Sequence, residues 1–252
     1  MPFCRNCGKE IGAEARFCPH CGAGVVEERG KGLELPSRPV QTASAMSAIQ
    51  KGLDIVSAKP VVLVPALLGA VFSAIFSFIA TFWFAPASWW YWSYDPAALG
   101  FMAIGSLLGL IGGIVAFVMS FASLDMSRNA YLDRELDVSN SVSYVLKRLV
   151  TFILASIVGA ILSITLILFP VAILMFVIIV VDETGISAAI SRSLRVLGSR
   201  LGDVLILLIL SIVGNFVIGL IPVVGPLIGA VFNVLVGLAF IDIYHNYKSA
   251  VF

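Results

Sequence analysis

Cys4, Cys7, Cys18 and Cys21 form two Cys-x-x-Cys pairs with ten residues between them. Each pair is followed by a glycine, Gly8 and Gly22, which lets the backbone curl so that its amides point at thiolate sulfur. Two such knuckles supply the four soft ligands that tetrahedral Zn2+ prefers. Four thiolates leave no open coordination position for water, so the metal is expected to hold a fold and do no chemistry. Iron fits the same sulfur cage and stays open as the alternative. Disulfides suit secreted domains rather than a head in the reducing cytosol, and a redox-active pair needs a βαβ setting that about twenty residues cannot form. His20 lies inside the second knuckle and reads as a loop residue, because four sulfurs already complete the shell.

The head resembles the small zinc-ribbon modules found at the ends of many bacterial and archaeal proteins. The likeness covers residues 3–22 and rests on the four cysteines. Arg5 and Lys9 would offset the negative charge of a zinc tetrathiolate. So short a segment has almost no core, and metal binding is expected to supply most of its folding free energy.

Something must carry this head, and composition says what. Of 252 residues, 60% are hydrophobic and 12% charged, against roughly 25% charged in a soluble domain. The expected fold class is therefore an all-α polytopic membrane protein with a small N-terminal zinc ribbon. Residues 1–22 form the ribbon, 23–45 a charged, flexible linker and 46–252 a six-helix transmembrane domain. The polar N-terminus reads as carrying no secretory signal.

Expected spans are residues 60–84, 97–124, 149–167, 170–181, 201–220 and 227–244. Trp89, Trp90, Tyr91, Trp92 and Tyr94 form an aromatic belt of the kind that marks a membrane–water interface. The apolar run from Leu149 to Val181 is ambiguous. It would make a helix of about 50 Å, too long for one perpendicular span and slightly short for two. Charge sidedness decides. A hairpin at Leu168-Phe169-Pro170 places all sixteen Lys and Arg residues on one side, as the positive-inside rule requires. Both termini are then cytoplasmic in a multi-pass cell-membrane protein, and the fourth helix must be short, tilted or re-entrant.

Three amphipathic segments, around Ile49, Tyr144 and Ile190, each precede a helical hairpin. Met46, Ile49, Leu53 and Val56 share one helical face, as do Ile186, Ile190, Leu194 and Leu197. Apolar stripes with basic flanks suit helices lying in the interface plane. Small-residue stripes are expected to pack spans: Gly69, Ser73, Ser77 and Thr81 on the first, Gly105, Gly109 and Gly113 on the second. Packing within one chain is the simpler reading, and a homo-oligomer interface is the other. Asn215 and Asn233 sit at mirrored positions about the last turn and are expected to hydrogen-bond.

No Asp, Glu, Lys, Arg or His occupies the middle of an expected span, which argues against an ion-coupled pump. No Ser/His/Asp set, His-Glu-x-x-His helix or phosphate loop is present, so an enzyme is not expected. The ribbon holds too few basic residues for a nucleic-acid footprint. Acidic groups gather instead at the expected cytosolic helix ends. They are Asp125, Asp182, Glu183 and Asp242, with Arg128, Arg192 and Arg195 within reach. Interfacial ion pairing is the plain reading, and a cytosolic-facing ligand or ion site the sharper one.

Val181-Asp182-Glu183-Thr184-Gly185, followed by Ala188 to Leu194, resembles a segment of six-span membrane domains, among them one fused to some glycerophosphodiester phosphodiesterases. The likeness covers residues 125–247 and implies an architecture. No phosphodiesterase domain accompanies it, so that activity is not implied. The expected function is non-enzymatic: the ribbon docks a cytosolic protein while the body anchors in or organises the lipid bilayer. The alternative is a transporter or lipid-handling protein with a groove between its hairpins, and a hydrophilic cavity reaching the midplane would favour it.

Overall fold

The computed structural model describes residues 44–79, 96–165, 168–221 and 224–251. The expected ribbon with its four cysteines, nearly all of the expected linker and the aromatic belt lie outside these residues. Contacts divide the chain into Met1–Gln41 and Thr42–Phe252, and everything below concerns the second unit.

Among the described residues the unit is helical, with no strand. In order come α1 (Ala45–Ala58), a 3-10 turn (Pro60–Leu63), α2 (Val64–Ile79), α3 (Pro96–Tyr131), α4 (Val138–Lys147) and α5 (Leu149–Ser163). They are followed by α6 (Phe169–Asp182), α7 (Ile186–Ser199), α8 (Leu201–Gly219) and α9 (Gly225–Val251). Three helices, Ile104–Tyr131, Leu201–Gly219 and Gly225–Ala250, are long and apolar enough to cross a membrane by themselves. The count reaches six if each of three bent pairs is one span: α1 with α2, α4 with α5 and α6 with α7, bent by 104°, 74° and 119°.

Local chemistry explains the breaks. Ser44 caps α1 by accepting the Ser47 amide at 3.3 Å, and the helix stops at Lys59, where Pro60 disfavours helical backbone in the residue before it. Asp137 caps α4 by accepting the Ser139 amide at 2.8 Å. Pro170 stands in the first turn of α6, where its missing N–H costs no hydrogen bond. Glu183 ends α6 in the left-handed region, with φ of 54°.

The run 149–181 is thus two helices. They pack closely: a Cβ at Gly159 would meet the Phe176 ring at 2.7 Å. With 14 residues, α6 is about 21 Å long and is the short helix that its sequence requires. It is also the centre of the body. Its residues from Pro170 to Val180 are mostly buried, against α3, α5, α7, α8 and α9. Around it, α5 and α8 turn Ile153, Leu154, Ile157, Ile206, Ile209 and Val213 outward, as lipid-facing helices do.

The expected helix contact at Gly109 and Gly113 needs correction. A Cβ added at either would meet nothing within 4 Å, and Gly105 is only half-buried. The close approach of α2 and α3 is made at Gly112, where a Cβ would lie 2.7 Å from Phe76, and at Gly69, 3.0 Å from Met119. Residues 109 and 112 lie about 60° apart around one helix, and the contact falls on the Gly112 side. The amphipathic helices differ from expectation in a related way. α1 packs through Ala45, Ala48 and Gly52, and α7 through Ala189, Ser193 and Val196. Of their expected stripes, Ile49, Val56, Ile186, Ile190 and Leu197 pack against the core, while Met46, Leu53 and Leu194 stay exposed.

Candidate functional site

The charges singled out in the sequence converge around the ends of α3, α6 and α9 and the body of α7. Asp182 closes α6, where the negative end of the helix dipole opposes a carboxylate. Three donors offset this. Arg192 on α7 and Tyr244 on α9 both bond the Asp182 carboxylate, and Lys248, one turn beyond Tyr244, reaches it at 2.8 Å. The Asp182 side chain is only 4% exposed, so this knot ties three helices together.

Glu183 points the other way, accepting from Arg128 Nη2 at 2.8 Å, while its carbonyl accepts from Arg148 at 2.8 Å. Asp125 stands behind Arg128. It accepts from Ser141 at 2.8 Å and Asn129 at 3.1 Å, with the Arg128 guanidinium 3.6 Å away.

Arg128, Asp182, Glu183, Thr184, Arg192 and Arg195 line a cleft of about 580 Å3 together with Tyr244, Tyr247 and Lys248. Of the acidic residues and arginines singled out in the sequence, Asp182, Glu183, Arg128, Arg192 and Arg195 meet there. Asp125 supports Arg128 from behind, and Asp242 belongs elsewhere. It faces α1, accepting from Lys51 at 2.8 Å and Tyr131 at 2.7 Å. The Lys51 ammonium also sits 4.1 Å from the Tyr131 ring centroid. Burial works against the Lys51 charge, but its bonds to Asp242 and Tyr131 outweigh this and raise its pKa above the ordinary lysine value.

Sequence reasoning missed Tyr244, Tyr247 and Lys248 as part of this site. Tyr244 and Lys248 lie 62 and 66 residues from Asp182, and only their four-residue spacing on one helix hints that they act together.

A second concavity of about 670 Å3 runs between α2, α3, α8 and α9. Its lining is mostly apolar, and the polar groups among it are neutral: Ser73, Ser120, Ser123, Ser127, Asn215 and Asn233. Ser120 and Ser127 donate to carbonyls one turn back on their own helix, both at 2.8 Å. Asn215 and Asn233 exchange amide hydrogen bonds of 3.0 and 3.3 Å. The groove extends from the α8–α9 turn at Ile221 and Gly225 to Ser127 near the charged end. Gly225 is needed at that turn, because a Cβ there would lie 2.7 Å from the Ile218 carbonyl oxygen.

Residues 3–25 match the zinc-ribbon domain family, and the four cysteines fall inside that range. Their all-thiolate donor set fits zinc. Comparison with curated proteins found no match, and comparison with solved structures found none.

Proposed function

We propose that this chain is a non-enzymatic, multi-pass membrane protein whose helical body accommodates an amphipathic lipid between its hairpins and whose zinc-bearing head docks a cytosolic protein. In this reading α2, α3, α5, α6, α8 and α9 cross the membrane. α1, α4 and α7 lie at the cytosolic interface, and both termini are cytosolic. The confinement of all Lys and Arg residues to one side in a six-span reading supports that arrangement, as do helices apolar enough for three to six spans.

The observation that carries the lipid reading is the groove lined by serine hydroxyls and the Asn215–Asn233 pair. Polar groups at hydrocarbon depth are expensive unless they bond internally or face a polar guest. A lipid headgroup moving along serines and amides would exchange weak neutral bonds and meet no buried charge. The test is reconstitution of the full chain into liposomes that carry a fluorescent phospholipid, followed by quenching of the outer leaflet. Exchange between leaflets should be faster than in protein-free liposomes. It should slow toward that background when Ser73 and Ser120 are both replaced by leucine. Exchange at the protein-free rate with the unmodified chain contradicts lipid movement.

The zinc-ribbon match supports a structural metal in the head, and docking is the role proposed for it. Four thiolates supply a structural metal with folding free energy and no catalysis. Cys7→Ser should eliminate stoichiometric zinc, measured by elemental analysis, while leaving the melting temperature of the membrane body unchanged. Purified, metal-replete unmodified protein without zinc would contradict the assignment.

A further inference from the structure

The cleft between α3, α6, α7 and α9 holds more positive charge than its own carboxylates use. Arg128, Arg192, Arg195 and Lys248 line it against only Asp182 and Glu183. Asp182 is already engaged by Arg192, Lys248 and Tyr244, and Glu183 by Arg128. Arg195 makes no ion pair among the described residues. Its recorded bond is from Nε to the Ser191 carbonyl on its own helix, at 3.4 Å.

Two buried polar atoms are left without a partner among the described residues, Arg128 Nε and Thr184 Oγ1. Both belong to residues lining this cleft. The Arg128 side chain is only 10% exposed, so its free N–H is held in a fixed place rather than sampling solvent. Buried donors are seldom left unsatisfied, and both can donate. What they lack is an acceptor.

Helix α7 adds to this. It starts at Ile186, directly after Thr184 and Gly185, and Gly185 offers no side-chain cap. The first-turn amides of such a helix are free to meet an anion, and its dipole favours negative charge there. The cleft volume falls within the roughly 300–1,000 Å3 of small-molecule sites.

We propose that this cleft is a binding site for a phosphate ester, its oxyanion held by Arg128, Arg195 and Thr184 at the start of α7. Guanidinium groups match phosphate oxygens in a planar, bidentate fashion, and a hydroxyl with a helix N-terminus completes the set. Asp182 takes no part in binding. It holds Arg192, Tyr244 and Lys248 in place so that the walls keep their spacing. The proposal does not depend on lipid movement through the groove, which lies between other helices.

The ester could be a phospholipid headgroup or a soluble phosphate, and the test separates them. The full chain in detergent is titrated with inorganic phosphate, glycerol 3-phosphate, phosphatidylglycerol and, as the phosphate-free control, diacylglycerol, following the melting temperature. At least one phosphate-bearing ligand should stabilise the protein and diacylglycerol should not. Stabilisation by phosphatidylglycerol alone assigns a lipid source, and stabilisation by either soluble ligand assigns a soluble one. Arg195→Gln and Thr184→Val should each weaken apparent affinity by about tenfold, a typical value for one lost charge-assisted or buried bond. Arg195 is exposed, so its variant keeps the test decisive if Thr184→Val misfolds. No stabilisation by any phosphate ligand, equal stabilisation by diacylglycerol, or wild-type affinity in a folded Arg195→Gln protein would each overturn the proposal.

Discussion

At the end of the body where α6 meets α7 and α9, charged side chains are tied across helices around the buried Asp182, whereas in the groove between α2, α3, α8 and α9 the polar groups are neutral and mostly bond within their own helix. Asp182 joins residues from α7 and α9, while Ser120 and Ser127 reach only the preceding turn. In the proposed six-span arrangement the difference follows from what each region must tolerate. Charge is affordable near water and headgroups, where pairing offsets desolvation, and it fixes geometry firmly. At hydrocarbon depth a hydroxyl satisfied by its own backbone costs little, and it leaves the surface open to a passing polar group. One region is built to hold its shape, the other to stay permissive.

The widest effect is expected where the permissive region is nonetheless tightly packed. Gly112→Leu would drive a side chain into Phe76, already within 3 Å of a single added carbon, and should destabilise the body by about 3 kcal/mol. Gly109→Leu, three residues away and open, should change stability by less than about 0.5 kcal/mol. Thermal melting of both in detergent separates them. Equal melting temperatures would mean that α2 and α3 do not meet as described.

Next in size is the charged knot. Asp182→Ala leaves Arg192, Lys248 and Tyr244 facing one another without an acceptor. The two cations are 39% and 50% exposed, so water relieves part of the cost, and a loss of about 2 kcal/mol is expected. A melting temperature within error of the unmodified protein would show that the knot is ornamental and that the two regions do not differ in the way described.

Much of this was legible from local pattern. The three amphipathic stretches became α1, α4 and α7, the proline at 170 opened α6, and Asn215 found Asn233. Each of these depends on spacing within one segment. The azimuth of a helix toward its neighbour does not. That is why a stripe at Gly105, Gly109 and Gly113 missed the contact by part of a turn while Gly112 made it, and why the apolar stripes of α1 and α7 gave no sign of the small residues that pack beside them. Partners of Asp182 far along the chain were beyond local reasoning for the same cause. The central position of α6 is likewise a property of the assembled bundle. Its uninterrupted apolar run would suit lipid contact equally well.

Sidedness is decisive, because cleft, groove and head acquire their proposed roles only if α6 returns the chain to the cytosolic face. Ser193 is fully buried and would report poorly, but Ser187 on α7 is exposed. A single cysteine at Ser187, with Cys4, Cys7, Cys18 and Cys21 changed to serine, can be probed with an impermeant thiol reagent. It should be protected in intact cells and labelled in inverted vesicles. Labelling in intact cells would mean that residues 149–181 cross once, and would contradict the six-span arrangement.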